Sequence, residues 1–168
     1  IQKINERFIF DDKEISDNNL SNLLTEVENV NNGEQITYFE ILTAAYFYHA
    51  SKFKDKINII ESGLFHRFDA TNIIDNNLSS IVTSIGLDHL DWLPKNEQNI
   101  EKIVYEKTSS LLNSTIVVSK QSSDETLNLI KKTINNNQSK KIIYKDDFNY
   151  SLSENGFIYY EDEYGGLK

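Results

Sequence analysis

The chain has 168 residues, of which 39% are hydrophobic and 26% are charged, as in a globular protein with a sizeable core rather than a disordered one. Its net charge of −9 argues against a nucleic-acid backbone as partner, because phosphate contacts need clustered lysine and arginine. The absence of cysteine excludes disulfides, a thiolate nucleophile and cysteine-type zinc sites and is compatible with a cytoplasmic location, and no apolar stretch is long enough to cross a membrane.

The N-terminal residues predict a short strand followed by a helix. Apolar residues alternate loosely over 4–10, which favours the strand. Ser16 is a suitable N-cap, and leucine and valine recur at helical spacing over 17–30. The Asn-Asn-Gly sequence at 31–33 is typical of a helix C-terminus, so we expect an amphipathic helix between these two signals.

A second helix is predicted from residue 38 to about 52. Thr37 and Glu40 have the spacing of a capping box, in which each side chain accepts a backbone N–H of the other residue. The apolar positions that follow include Ala44 and Ala45, and two such small residues would let the helix lie close to a sheet.

We expect the segment 59–72 to be the part of the chain around which a functional site is organised. A predicted strand over 57–61 enters this segment and ends on the carboxylate of Glu61, before a turn at Gly63. Ligands bind at the carboxyl ends of strands in open α/β sheets, so a carboxylate there is suited to a metal or phosphate site. A cation, an anion and an amide follow, at Arg67, Asp69 and Asn72. A strand and a turn with solvated polar residues is the alternative interpretation, and it is about as well supported.

Strands and helices alternate along the rest of the chain. The predicted strands cover residues 79–85, 115–119 and 141–144, and the predicted helices cover residues 97–112 and a segment capped by Ser123. This order favours βαβ units, a mostly parallel sheet with right-handed crossovers, and therefore an α/β fold. From Phe148 an alternating aromatic pattern predicts a small antiparallel hairpin near the C-terminus.

Three side chains are candidates for chemistry at the strand ends. Glu61 and His89 follow consecutive predicted strands, and Lys107 lies in the next predicted helix. A carboxylate and an imidazole at strand ends can bind Mg²⁺, although Mg²⁺ prefers oxygen ligands. The alternative interpretation is a surface or helix-capping histidine and a solvated lysine. The chain contains neither a Gly-x-Ser-x-Gly elbow nor a Gly-x-x-x-x-Gly-Lys-Ser/Thr phosphate loop.

Six motifs of the chain occur in an order that resembles a known family. They are Asn5-Glu6-Arg7, Ile15-Ser16-Asp17, Thr37 to Ala45, Glu61 to Asn72, Thr83 to His89, and Glu106-Lys107. Each motif alone is weak, but six in register are specific, and the resemblance runs from about residue 4 to 120. Over this stretch the chain resembles the bifunctional folylpolyglutamate synthase/dihydrofolate synthase family, a branch of the Mur ligases.

The resemblance implies both an activity and a fold. The family couples ATP hydrolysis to amide formation between a pteroate or folate carboxylate and the amino group of L-glutamate. Phosphoryl transfer from ATP gives an acyl phosphate, the amine attacks it with loss of phosphate, and Mg²⁺ and fixed cations neutralise the phosphate charge. The implied fold is the three-layer central domain of the Mur ligases, with a mostly parallel sheet. The implied cofactors are ATP and Mg²⁺, and the implied substrates are dihydropteroate or folate and L-glutamate.

The resemblance also implies roles for individual residues. Glu61 and His89 would be Mg²⁺ ligands, and Lys107 matches the lysine that is carbamylated in the family, so Lys107 and His89 are the implied catalytic residues. The implied cofactor-binding residues, in a polar turn beside the active site, are Arg67, Asp69 and Asn72. Thr37 and Phe39 match a stretch near the pterin site and are the implied substrate-binding residues, with Phe39 packed against the pterin ring.

The chain departs from the family pattern in two ways. Phe65 and His66 stand where the family has two glycines, and Ser62 stands where it usually has an aliphatic residue, so bulky side chains would hinder the approach of a ligand to the backbone. The family's phosphate loop would precede this chain and its glutamate-binding domain would follow, so we expect residues 1–168 to be a single partial domain that is inactive alone. We expect a monomeric parent without nucleic-acid or membrane partners, and an open sheet edge would give this piece a risk of self-association.

Two alternatives to a ligase fragment remain open. One is a non-catalytic remnant of the same fold that acts as a binding or assembly module; Phe65 and His66 favour it, and the retained metal-site residues disfavour it. The other is a Mur-type ligase with a different acceptor, which is disfavoured because segments 37–40 and 69–72 resemble the folate branch most.

Overall fold

The computed structural model describes residues 2–111 and 114–167, and the chain divides into two compact units, Ile1–Glu61 and Ser62–Lys168. Within the described residues, the first unit contains two α-helices and a two-stranded ribbon, and the second contains a parallel sheet, an antiparallel sheet and two α-helices. The predicted α/β class is therefore confirmed, whereas the single partial domain stays a prediction. No helix in the described part of the chain is long and apolar enough to span a membrane.

The first unit is built from elements whose ends are fixed by local capping. Its elements are a 3₁₀ turn at Ile4–Arg7, strands β1 (Ile9–Phe10) and β2 (Lys13–Glu14), and helices α1 (Asp17–Asn31) and α2 (Tyr38–Ala50). Ser16 Oγ accepts the N–H of Asn19 at 3.3 Å, and Asn32 ends α1 in the left-handed region at φ 54°. Thr37 and Glu40 form the predicted capping box, with Thr37 N–H donating to the Glu40 carboxylate at 2.8 Å.

The strand predicted over 4–10 forms only at its C-terminal end. The Glu6 carboxylate accepts the backbone N–H groups of Gln2 and Lys3, each at 3.0 Å, and these bonds close a turn where an extended chain was expected. The buried Asn5 side chain then donates to the carbonyl of Ile15 at 2.9 Å and holds the turn against the second strand of the ribbon. Local side-chain bonds therefore override the loose apolar alternation.

The strand predicted over 57–61 was wrong. This segment is irregular, and Ile57 and Ile59 are 79% and 93% exposed. A strand needs a neighbour for its backbone N–H and C=O groups, and none of the described strands pairs with these residues. The apolar run alone does not make a strand, so Glu61 does not lie at a strand end.

The second unit contains the predicted parallel sheet. Its elements are β3 (Ser79–Val82), α3 (Ile100–Thr108), β4 (Thr115–Val118), α4 (Asp124–Ile134), β5 (Lys141–Ile143), β6 (Phe148–Leu152), β7 (Ile158–Asp162) and β8 (Gly165–Leu167). The strand order is β3-β4-β5, with both pairs parallel, and β6, β7 and β8 form the small antiparallel sheet. Strand β3 is one edge of the parallel sheet, and the expected self-association stays a prediction.

Strand β3 and helix α3 are each several residues shorter than predicted, and β4 and β5 each end one residue early. Strand β3 ends at Val82 because the Gln121 side chain takes over the next backbone groups: it accepts the N–H of Ile85 at 2.9 Å and donates to the carbonyl of Thr83 at 3.1 Å. Helix α3 begins after Asn99, whose side chain accepts the N–H of Lys102 at 2.9 Å, rather than at residue 97. The last residue of the predicted helix, Leu112, lies outside the described residues.

The core of the second unit lies between the parallel sheet and the two helices. Ile116 and Val118 on β4 and Ile103 and Val104 on α3 are completely buried, as is Ile130 on α4. Burial of such side chains stabilises the unit by about 1.5–3 kcal/mol each, which fixes α3 against the sheet. Helix α3 is thus a rigid support for the segment that precedes the sheet in the sequence.

Candidate functional site

The candidate site is formed by segment 62–72 and the C-terminal part of α3, both in the second unit. Arg67 binds Glu106 through two parallel bonds, Nε to Oε2 at 2.7 Å and Nη2 to Oε1 at 2.8 Å. The backbone N–H of Arg67 also donates to the carbonyl of Glu106 at 3.1 Å. Such a two-pronged arginine–carboxylate pair fixes both distance and orientation, so it anchors the middle of the segment to the helix.

The Glu106 carboxylate is nearly buried, with its side chain 6% exposed, and it is held by two cations. Lys102 lies one helical turn earlier, with Nζ 3.3 Å from Glu106 Oε1 and 2.8 Å from Glu97 Oε2. The bond from Arg67 lowers the pKa of Glu106 most, Lys102 lowers it further, and burial opposes both. Glu106 is therefore ionised at neutral pH in spite of its burial.

Asp69 folds the segment on itself. Its Oδ2 accepts the backbone N–H groups of Gly63 and Leu64 at 2.9 and 3.2 Å, and its Oδ1 accepts the N–H and the hydroxyl of Thr71 at 3.0 and 2.5 Å. Both carboxylate oxygens are thus engaged within the segment. Asp69 holds the turn after Gly63 in place by bonds that a neutral side chain of the same size would make more weakly.

A second anchor joins the segment to Ser110, two residues after the end of α3. His66 Nδ1 lies 2.8 Å from Ser110 Oγ, and Asn72 Nδ2 donates to the same oxygen at 3.3 Å. Asn72 Nδ2 also donates to the carbonyl of Arg67 at 3.3 Å. Burial lowers the pKa of His66, so its imidazole is neutral at pH 7 and bonds to the serine without carrying charge.

Both predicted catalytic residues, Lys107 and His89, pack against the ring of Phe65. Lys107 Nζ lies 5.8 Å from the centroid of the Phe65 ring and 3.5 Å from the carbonyl oxygen of Leu64. The His89 ring packs edge-on against the same ring, with centroids 6.2 Å apart. His89 has a left-handed backbone at φ 56°, and its Nε2 lies 3.3 Å from the carboxylate of Asp88.

The other predicted site residues belong to the first unit. Glu61 is exposed, Thr37 caps α2, and Phe39 is half-buried at the start of that helix. Among residues 2–111 and 114–167 no group of three or more histidine, aspartate or glutamate side chains is arranged to hold a metal ion. The roles assigned to these residues from the sequence stay predictions.

Sequence reasoning missed the partners that build the site. Glu106, Ser110 and Thr71 were not candidates, although they bond to the candidates Arg67, Asn72 and Asp69. Glu106 carried one available signal, because it precedes Lys107 in the last of the six motifs. Thr71 lies within the motif Glu61 to Asn72, whereas Ser110 lies outside all six motifs, and a serine near a helix end usually bonds locally.

Solved structures of FolC and of a folylpolyglutamate synthase/dihydrofolate synthase share this fold. An Escherichia coli FolC structure in complex with DHPP and ADP matches 99% of this chain and 39% of its own, with a TM-score of 0.83 and 27% identity. A bifunctional folylpolyglutamate synthase/dihydrofolate synthase from Yersinia pestis, complexed with AMPPNP and Mn ion, matches 99% of this chain and 38% of its own, with a TM-score of 0.82 and 26% identity. The chain therefore has the α/β fold of this class of proteins.

A sequence relative carries the name of the same class. The dihydrofolate synthase/folylpolyglutamate synthase of Buchnera aphidicola subsp. Acyrthosiphon pisum is 41% identical over 76 residues, which are 45% of this chain and 18% of the relative. The chain thus matches less than two thirds of the length of each of these proteins. No protein-family model matches it. The resemblance to folylpolyglutamate synthase/dihydrofolate synthase that the six motifs indicated is confirmed.

Proposed function

We propose that the chain is part of an ATP-dependent ligase that joins L-glutamate to the carboxylate of dihydropteroate or folate. The proposal is supported mainly by the match to the Escherichia coli FolC structure in complex with DHPP and ADP. This match extends over 99% of this chain at a TM-score of 0.83. The retained Glu61, His89 and Lys107 support it, because a chain released from this function would be free to lose them.

The proposed reaction has two steps. A carboxylate oxygen of the pterin substrate attacks the γ-phosphorus of ATP, ADP leaves, and an acyl phosphate forms. The amino group of glutamate then attacks the acyl carbon, loses a proton, and expels phosphate, which carries away one oxygen of the original carboxylate. Both steps gather negative charge around phosphoryl oxygens, so the site must supply positive charge and exclude water.

A divalent cation would supply charge neutralisation at the phosphates when bound. Glu61, in the first unit, would offer a carboxylate oxygen, the type of ligand that Mg²⁺ and Mn²⁺ prefer, and His89, in the second unit, would offer an imidazole nitrogen, which Mg²⁺ accepts less readily. Both groups are accessible, since Glu61 is exposed and the His89 side chain is 36% exposed. Magnesium as the ion and the cytoplasm as the location belong to the proposal.

The polar residues of segment 62–72 would act by fixing the backbone conformation of the segment. The side chains of Arg67, Asp69 and Asn72 are bonded to the segment itself or to α3. We therefore expect them to support cofactor binding by fixing the backbone from Gly63 onward. Thr37 would similarly act through α2, whose first turn presents Phe39 to the pterin ring.

The test is ligase activity in the protein encoded by the complete reading frame that contains this chain. ATP-dependent incorporation of radiolabelled glutamate is measured with dihydropteroate and with folate, for the parent and for His89→Ala and Lys107→Ala. We expect each variant to lose about 10²-fold or more in kcat. Lys131→Ala is the matched control. Lys131 pairs with Asp146 away from the site, so this variant should keep the activity of the parent. Near-normal turnover in either site variant would remove that residue from the catalytic machinery.

A non-catalytic binding module is the second candidate function. The position of Phe65 favours it, because its ring packs against both His89 and Lys107 where a ligand would have to approach them. This candidate predicts that the complete protein shows no glutamate incorporation with either substrate. It also predicts that Phe65→Gly leaves that result unchanged.

A further inference from the structure

We propose that Glu106 is a positioning residue that holds segment 62–72 on α3 and thereby sets the surroundings of Lys107. The proposal rests on the proposed function only in giving Lys107 a role in the reaction. The placement of Lys107 itself is argued from contacts within the second unit.

Glu106 binds the segment through three bonds to one residue. Two of them join its carboxylate oxygens to the Arg67 side chain, and the third joins its carbonyl oxygen to the Arg67 N–H. Side chain and backbone of Arg67 are therefore fixed together. No other residue of α3 receives this combination of bonds from the described part of the segment.

Because Glu106 is buried, few positions of the segment can satisfy its carboxylate. A carboxylate that is 6% exposed needs hydrogen-bonding partners, because an unpaired buried charge is strongly unfavourable. Arg67 satisfies both oxygens and is itself only one-third exposed, so alternative positions of the segment would leave the carboxylate with Lys102 alone. One arrangement of the segment is thus favoured over others.

Lys107 depends on the same segment for its polar contact. Its Nζ is 3.5 Å from the carbonyl oxygen of Leu64 and packs over Phe65, and these two residues precede Arg67 by three and two positions. The helix fixes the Lys107 backbone, but the group that its ammonium meets is held by the anchor at Arg67. Releasing the anchor should therefore change the surroundings of the ammonium without moving α3.

The experiment measures the reactivity of Lys107 in the full 168-residue chain. Glu106→Gln keeps the shape of the side chain and removes its charge, and Glu101→Gln is the control, an exposed acid on the same helix. Each protein is treated briefly with an amine-reactive reagent, and the modified fraction at Lys107 is quantified by peptide mass spectrometry relative to Lys131. Hydrogen exchange at the Arg67 amide is recorded on the same samples.

We expect the relative reactivity of Lys107 to rise about fivefold in Glu106→Gln, as for the loss of one hydrogen bond of ordinary strength, and to stay unchanged in Glu101→Gln. The Arg67 amide should exchange faster, while the Ile116 amide in the core should not. Glu106→Asp, which keeps the carboxylate, should partly restore the protection of Lys107 against modification and of the Arg67 amide against exchange. An unchanged Lys107 with an intact core would overturn the proposal.

A second variant tests the proposal if Glu106→Gln disturbs the core. If Glu106→Gln also releases the core amides, Arg67→Gln breaks the same pair from its more exposed side, and an unchanged Lys107 there overturns the proposal equally. The readout needs no ligase activity. Absence of glutamate incorporation would therefore count against the proposed function alone, and unchanged Lys107 reactivity against the positioning role alone.

Discussion

Replacement of Asp69 by alanine should open the turn of segment 62–72 without unfolding the second unit. The carboxylate is the common acceptor for the N–H groups of Gly63, Leu64 and Thr71 and for the Thr71 hydroxyl. Alanine accepts none of these bonds. The core between α3 and the sheet does not involve Asp69, so we expect the effect to remain local.

The magnitude follows from the number and surroundings of the bonds. A hydrogen bond to a charged group contributes about 1.5–3 kcal/mol when buried, and Asp69 is only half-buried, so water replaces part of what is lost. Four bonds together should then amount to about 2–3 kcal/mol of local stability. At 1.36 kcal/mol for each tenfold change, this predicts exchange of the Gly63 and Leu64 amides about 30- to 150-fold faster.

Native-state hydrogen exchange with residue resolution measures this directly. Asp69→Asn, which keeps one carbonyl oxygen, should show a smaller increase, and Asp75→Ala, an exposed acid beyond the turn, should show none. If exchange at Gly63 and Leu64 is the same in Asp69→Ala as in the parent, the turn is not held by this carboxylate and the reasoning fails.

Two further predictions concern the stability of the second unit. Ile116→Ala, at a completely buried position in β4, should lower the free energy of unfolding of the second unit by about 2–5 kcal/mol in urea titrations. Ile81→Ala, at a position 70% exposed on β3, should lower it by less than about 0.5 kcal/mol. Equal losses in the two variants would contradict the assigned core. The pKa of Glu106 is lowered by the two cations that face it. The ionised side chain therefore contributes to the free energy of unfolding above the usual pKa of glutamate, and this contribution is lost as the pH falls through the lowered pKa of the folded protein. Urea titrations at decreasing pH should therefore show a steeper loss in the parent than in Glu106→Gln, and parallel curves would refute this.

The parts of the fold that sequence reasoning predicted well depend on near neighbours in the chain. Ser16, Thr37 and Ser123 each accept a backbone N–H from three residues ahead, as their patterns indicated. The buried face of α1 likewise follows from the helical spacing of its leucine and valine residues. These features need no knowledge of the rest of the molecule.

The failures involve distant partners. The apolar run at 57–61 looks like a strand, but a strand is defined by a neighbour that the run itself cannot specify. The pairing of Arg67 with Glu106 joins residues 39 positions apart and depends on how a loop packs on a helix. The candidate site could be located in the sequence, whereas the bonds that give it shape could not.

The proposed acyl phosphate can be detected by following oxygen from the substrate carboxylate to the released phosphate. Dihydropteroate labelled with ¹⁸O in its carboxylate is converted with ATP and L-glutamate by the protein encoded by the complete reading frame, and the released phosphate is analysed by mass spectrometry. We expect one labelled oxygen in the phosphate for each amide formed, because the carboxylate attacks the γ-phosphorus and leaves one oxygen behind. Amide formation with unlabelled phosphate, or no amide with either dihydropteroate or folate, would contradict it.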